Sequence, residues 1–174
     1  MQTAEEQIRK IVTLMYDTGV PLDELEREVI PFLSAEVSFV DPAVRGHGFD
    51  KIRVGLRGFH TAFKFHFDIT QMSVQISEGR GRALIDGVMH LRPVPGYTYP
   101  LRTVLVYEFT LREDGAVRVT SIEEMWPIGD LLANAPLGLG KLYGTAFRTV
   151  SGMGFLGFFW LTTVLRRGRV RQSR

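Results

Sequence analysis

Apolar positions in the first third of the chain recur at helical spacing. Thr3 and Glu6 form an S/T-x-x-E capping box, which predicts that a helix begins there. The apolar residues that continue this helix are Ile8, Ile11, Val12 and Met15. A second, short helix is expected after Pro21 and ends before Pro31, because proline cannot donate the next backbone hydrogen bond. Apolar residues three and four positions apart predict a third helix over 49–63.

The pattern changes to a period of two near residue 67, which is typical of strands. The long strands predicted from this alternation cover residues 67–77, 82–92, 101–112 and 116–126. Hairpin signals separate them at 78–81 and 113–115, and a proline-rich segment over 93–100 is expected to form a stiff loop. A shorter β-prone run over 37–40 precedes Asp41-Pro42. The order predicts an α+β domain whose strands form an antiparallel meander.

The character of the chain changes after residue 127. Residues 149–165 carry no charge, and five arginines lie in 166–174. We therefore expect two parts, a folded α+β domain over 1–127 and a glycine-rich, apolar, helical tail over 128–174 with a basic end. The tail either contacts an anionic membrane surface through 149–174, or packs against its own domain or a second copy in a homodimer.

Charge and composition exclude several classes of protein. The five arginines at the end of the chain account for its positive net charge. The net charge is +2 for the whole chain, and without these arginines it is −3 for residues 1–165. A mildly acidic body argues against nucleic-acid binding. The absence of cysteine excludes disulfides and thiolate metal sites. The acidic N-terminus does not look like a signal peptide, so a cytoplasmic protein is expected, peripheral on a membrane if the tail binds lipid.

The order of elements, with Val40-Asp41-Pro42 after the first strand, resembles the nuclear transport factor 2-like superfamily over residues 4–126. This superfamily includes SnoaL-like polyketide cyclases and ketosteroid isomerases. The resemblance implies a cone-shaped, curved antiparallel sheet wrapped by three helices, with an apolar pocket inside. In the isomerases, the aspartate of the matching Asp-Pro step is the general base, which maps onto Asp41. Their oxyanion acid maps onto Tyr107, which is not an acid.

Each candidate catalytic residue has a functional and a structural interpretation. Asp41 is either a general base at the pocket mouth or a turn-forming residue. His90 is either an acid/base residue paired with Asp86 or Glu124, or a structural histidine. Glu108 is either a ligand-binding residue able to act as acid or base, or an exposed or interface glutamate paired with Arg102 or Arg118. The remaining candidates are aromatic residues expected to line the ligand pocket or the core: Tyr16, Phe39, Phe59, Phe63 and Trp126.

The histidines show no metal-ligand spacing along the chain, so no metal site is expected. No nucleotide-binding loop or other cofactor motif appears either. The sequence thus predicts a protein that binds a hydrophobic small molecule in an internal pocket. Such a protein is either a cofactor-independent isomerase or cyclase that uses Asp41 as its base, or a non-catalytic membrane-associated binding module of the same fold.

Overall fold

The structure is a computed structural model that describes residues 2–42, 44–94 and 96–127. The predictions made for the tail over 128–174 lie outside the described residues. The described residues form three α-helices, whose bounds are α1 Ala4–Met15, α2 Leu22–Glu28 and α3 Phe49–Ala62. The predicted capping box is confirmed, because the Glu6 backbone N–H donates to Thr3 Oγ1 at 3.2 Å and the Thr3 N–H donates to Glu6 Oε2 at 2.7 Å.

Six strands form one curved, unclosed sheet in the spatial order β2-β1-β6-β5-β4-β3. Their bounds are β1 Leu33–Val40, β2 Arg45–His47, β3 Phe65–Ser77, β4 Arg80–Val94, β5 Tyr97–Leu111 and β6 Val117–Met125. Neighbouring strands are antiparallel, except that β1 and β6 run parallel. The predicted α+β architecture is confirmed, and the parallel pair is a feature that the period-two pattern did not show.

The structure differs from the predicted elements at two places. Residues 45–47, where no strand was predicted, form β2, which pairs with the end of β1. The stiff loop over 93–100 is largely strand, since Val94 of β4 pairs with Tyr97 of β5. Pro100 is tolerated in β5 because the pairing with β6 begins only at Val104, so this stretch has one edge without a described neighbour.

The helices cover one face of the sheet and bury the core against it. The buried face of α1 packs on the long strands, and its buried Gln7 joins the helix to the β5–β6 hairpin. Gln7 Nε2 donates to the Gly115 carbonyl at 3.1 Å, and Gln7 Oε1 accepts from the Val117 N–H at 2.9 Å. These two bonds fix the position of α1 along the sheet, which places its last turn beside β6.

Four of the strand pairings contain a shift of register, and two of these shifts are single-residue bulges in β3 and β6. Thr70 is the extra residue in β3, where the pairing with β4 shifts by one position. Thr120 is the extra residue in β6, where Glu108 faces Ser121 but Phe109 faces Val119. After a bulge, side chains that would point outward point inward. The bulge in β6 therefore directs the side chains of Ile122 and Glu124 toward the helices and leaves Glu123 exposed.

Candidate functional site

A cavity of about 200 Å³ lies between the last turn of α1, the inner face of α3, and the ends of β1 and β6. Its lining is mostly apolar and comprises Met15, Tyr16, Phe39, Asp41, Val44, Gly46, Lys51, Ile52, Gly55, Leu56, Phe59 and Glu124. Three charged side chains, Asp41, Lys51 and Glu124, interrupt this apolar lining. An apolar cavity with a few convergent polar groups is the usual form of a small-molecule site.

Glu124 is the centre of a buried hydrogen-bond network at this cavity. The Tyr16 hydroxyl donates to Glu124 Oε1, and the Trp126 side chain also hydrogen-bonds to this carboxyl group. Tyr107 is completely buried, contacts the Tyr16 hydroxyl through its own hydroxyl, and lies 3.5 Å from Met15 Sδ. The network thus holds the Glu124 side chain in one orientation, with its carboxyl group at the cavity wall.

The end of α1 positions Tyr16 for this contact. The Tyr16 backbone N–H donates to the Val12 carbonyl at 3.0 Å, which completes the last turn of the helix. The buried His60 of α3 donates from Nε2 to the Met15 carbonyl at 2.7 Å. The Phe65 N–H donates to Thr18 Oγ1 at 3.0 Å just beyond the helix. Hydrogen bonds to the backbone of Met15 and to the side chain of Thr18 therefore fix the chain before and after Tyr16.

Asp41 reaches the same cavity from the neighbouring strand. In the parallel pair, Val40, the last residue of β1, lies opposite Glu123 of β6. Asp41 and Glu124 directly follow these two residues in the chain. Asp41 closes the turn into β2, because its Oδ1 accepts from the Val44 N–H at 2.5 Å and its own N–H donates to the Val44 carbonyl at 2.9 Å. The turn-forming interpretation of Asp41 is thus correct, and the same residue also faces the cavity.

Burial raises the pKa of Glu124 from an ordinary value of 4.5 to about 7. The hydrogen bond from Tyr16 opposes this shift, the negative charge of Asp41 adds to it, and the hydrogen bond from Trp126 opposes it. Burial likewise raises the pKa values of Tyr16 and Tyr107, so both hydroxyl groups stay neutral. Near neutral pH the cavity therefore contains a carboxyl group that is protonated in a large share of the molecules.

The structure brings several of the expected ligand residues to this cavity, but not all of them. Tyr16, Phe39 and Phe59 line it. Phe63 is half-exposed and lies outside the lining, where its ring contacts that of Phe59 at a centroid separation of 5.0 Å and an angle of 47°. Tyr107 and Trp126 take part through the hydrogen-bond network instead of the cavity wall.

His90 and Glu108 lie on the outer face of the sheet, away from the cavity. The expected pairs of His90 with Asp86 and Glu124 do not form in the described residues: His90 Nε2 lies 3.0 Å from Asp68 Oδ2. Asp86 instead pairs with Arg102 at 2.9 Å. Glu108 is exposed, because its position in β5 alternates with the buried Tyr107 and Phe109. Neither residue can contact a molecule in the cavity.

Sequence reasoning named Glu124 only as a partner for His90. Strict alternation along the last strand places Val117, Val119 and Glu123 on one face, and Glu124 on the opposite face. The bulge at Thr120 reverses this alternation, so Glu124 is buried and Glu123 is exposed. The sequence contains a weak signal, because Ile122, Glu124 and Trp126 are spaced two residues apart, as residues on one face of a strand are. The position of the bulge that reverses the alternation is seen only when the pairing of β5 and β6 is known.

No protein-family model matches the chain, and no curated protein matches it. Among the helices of the described residues, none is long and apolar enough to cross a bilayer.

Solved structures share its fold at low sequence identity. An NTF2-like protein with a cystatin-like fold from Novosphingobium aromaticivorans has a TM-score of 0.55 at 12% identity, over 77% of this chain and 82% of that chain. A ketosteroid isomerase-like protein from Erwinia carotovora has a TM-score of 0.51 at 12% identity, over 69% and 90% of the two chains.

A third structure, from Catenulispora acidiphila in complex with S-DNPA, has a TM-score of 0.52 at 15% identity and covers 69% of this chain and 87% of that chain. These similarities show that the described part of the chain has the fold of the nuclear transport factor 2-like superfamily. At such identities they define the fold and leave the activity to the residues of the site.

Proposed function

We propose that the cavity binds a small, largely apolar molecule that presents one oxygen atom to Glu124. The observation that carries this proposal is a buried carboxyl group, with its pKa raised to about 7, on the wall of an apolar cavity that it shares with Asp41. A protonated carboxyl group donates a hydrogen bond to a carbonyl or hydroxyl oxygen and attracts partial negative charge on it. The apolar side chains Phe39, Ile52 and Leu56 would then enclose the rest of the ligand.

The finer proposal is that the protein catalyses proton transfer at a carbon next to a carbonyl group. Asp41 takes a proton from this carbon, and the electron pair of the broken C–H bond moves toward the carbonyl oxygen to form an enolate. The protonated Glu124 donates a hydrogen bond to the enolate oxygen. In a β,γ-unsaturated ketone this enolate is conjugated with the C=C bond. Asp41 then returns the proton to the γ carbon while the double bond moves to the α,β position, so the isomerisation needs no redox step.

The fold of the ketosteroid isomerase-like protein and the ligand complex of the Catenulispora protein support binding of a small molecule by this chain. The resemblance supports the base role of Asp41, because this residue occupies the Asp-Pro step. The proposed role of Glu124 does not come from the resemblance. The oxyanion acid of the isomerases maps onto Tyr107, whereas the carboxyl group in this cavity belongs to Glu124 of β6.

A matched pair of substitutions on α3 tests binding. Leu56 lines the cavity, whereas Val54 lies on the opposite face of the same helix and is 71% exposed. We expect 2-naphthol to bind the unaltered protein, detected by a change in its fluorescence. Leu56→Trp should abolish binding because the indole fills the cavity, and Val54→Trp should leave binding unchanged. Equal affinity in all three proteins would contradict the proposal.

Catalysis is tested separately with a β,γ-unsaturated ketone such as 3-cyclohexen-1-one, whose conversion to the conjugated isomer is followed by ultraviolet absorption. Asp41→Asn should abolish conversion, because an amide cannot accept the proton. Asp50→Asn is the control, since Asp50 is an exposed carboxylate of α3 outside the cavity. Conversion that survives Asp41→Asn, or that falls equally in both variants, would contradict the base role while leaving the binding proposal intact.

A further inference from the structure

A cluster of two histidines and one aspartate lies on the outer face of the sheet. His66 of β3 is directly opposite His90 of β4, and Asp68 lies two residues along β3 on the same face. The neighbouring residues Phe65 and Phe67 are buried on the other face, so the cluster is separated from the cavity by the sheet itself. The histidines are 24 positions apart in the chain, which explains why their spacing gave no signal of a shared site.

The ligand atoms of the three side chains converge. His90 Nε2 lies 3.0 Å from Asp68 Oδ2, and His66 Nε2 lies 3.9 Å from the same oxygen. One nitrogen or oxygen atom from each of the three residues lies within 4.8 Å of the others. The imidazole rings are stacked, with centroids 4.6 Å apart and an angle of 9° between their planes.

This donor set suits a borderline divalent metal ion. Two imidazole nitrogens and one carboxylate oxygen form a common three-ligand set for Zn²⁺, with water as the fourth ligand. Zinc–nitrogen bonds of about 2.0–2.1 Å place two nitrogens roughly 3.3 Å apart on a tetrahedral ion. A ring nitrogen donates in the plane of its ring, so two stacked rings cannot both point at one ion and must rotate out of their stack to bind it. The side chains of His66, His90 and Asp68 are 38%, 26% and 68% exposed, so none of them is enclosed.

The other two histidines of the chain do not offer such a site. The buried His60 uses Nε2 in its bond to the Met15 carbonyl. His47 is exposed and pairs with Glu36 at 3.1 Å, but no second histidine lies beside it in the described residues. The pair of His47 and Glu36 thus resembles the cluster on β3 and β4 but lacks its second histidine, so it can serve as a control.

We propose that His66, Asp68 and His90 form a binding site for Zn²⁺ on the outer face of the sheet. This site is independent of the cavity and of the proposed function, and it differs from the expectation, drawn from spacing alone, that the chain binds no metal. The ion joins edge strand β3 to β4 through three side-chain ligands and keeps a position open to water. Because the ligands belong to the folded sheet, bound Zn²⁺ also raises the melting temperature of the protein.

The test uses the full-length protein without a histidine tag, freed of metal with a chelator and titrated with Zn²⁺ against a chromophoric chelator. We expect one Zn²⁺ per chain. His66→Asn and His90→Asn should each weaken binding by at least about tenfold. His47→Asn is the matched control and should leave the affinity unchanged. Circular dichroism establishes that each variant is folded.

Unchanged Zn²⁺ affinity in folded His66→Asn or His90→Asn would overturn the proposal, and so would a loss of affinity in His47→Asn as large as theirs. A second measurement does not depend on the folding of any variant. In imidazole NMR spectra of the unaltered protein, Zn²⁺ should shift the signals of His66 and His90 and leave those of His47 and His60 in place. A shift confined to His47 or His60 would overturn the proposal.

Discussion

Replacing Glu124 with glutamine should remove a loss of stability that the protein suffers as the pH rises. Glutamine keeps the shape of the side chain, and its carbonyl oxygen can still accept the hydrogen bond from Tyr16. It cannot ionise. The folded state of the unaltered protein has to bury a charge at this position once the pH exceeds the raised pKa, and the variant does not.

The pKa of Glu124 sets the size and direction of the effect. A rise from 4.5 to about 7 in the folded state corresponds to about 3 kcal/mol. Glu124 is only 8% exposed, so solvent screens this contribution little. Between these pH values the folded state binds more protons than the unfolded state, and stability falls as the pH rises. The stabilising contribution of the Glu124 proton to the free energy of unfolding is fully present below pH 4.5, and it is lost as the pH rises above about 7.

Urea unfolding at a series of pH values measures this effect. From about pH 5 to about pH 9, the free energy of unfolding of Glu124→Gln should increase by about 2–3 kcal/mol relative to that of the unaltered protein. Glu123→Gln is the matched control, since Glu123 is the adjacent, exposed glutamate on the other face of β6, and its difference from the unaltered protein should stay flat. A flat difference for Glu124→Gln as well would refute the burial of an ionisable carboxyl group at the cavity.

Two further predictions concern packing and the tail. Gly87→Ala should destabilise the protein by about 1–3 kcal/mol in urea unfolding, because the added Cβ would lie 2.3 Å from the Asp68 carbonyl oxygen and 2.5 Å from Phe67 Cζ. Gly58→Ala in α3 should instead stabilise it by about 1 kcal/mol, because nothing lies within 4 Å of that Cβ; destabilisation by both would contradict this account. If the apolar tail and its arginines bind membranes, the full-length protein should float with anionic liposomes, and a protein lacking 138–174 should not. Recovery of equal fractions of the two proteins with the liposomes would contradict membrane binding by the tail.

Local patterns in the sequence were enough to predict most elements of the fold. The capping box at Thr3 marked the start of α1, and the turn at Glu78 and Gly79 has positive φ values of 50° and 75°, as expected for a tight hairpin. These features depend on residues that are close in the chain. By contrast, β2 is only three residues long and exists because it pairs with β1, and such a short strand has too few positions to show a period of two.

The candidate site could be predicted only in part for a similar reason. Asp41 was found because a short motif marks it. Glu124 depends on the bulge at Thr120, and the pair of His66 and His90 depends on the register of β3 and β4. Bulges and register result from contacts between distant segments, so alternation within one strand cannot reveal them.

A crystal structure of the protein with 2-naphthol bound would show directly whether the cavity holds a ligand in the proposed way. We expect the ring system to lie in the cavity between Phe39, Ile52 and Leu56, with the naphthol oxygen within hydrogen-bond distance of the Glu124 carboxyl group. A naphthol molecule bound only outside the cavity, or inside it with its oxygen directed away from both Glu124 and Asp41, would contradict the account.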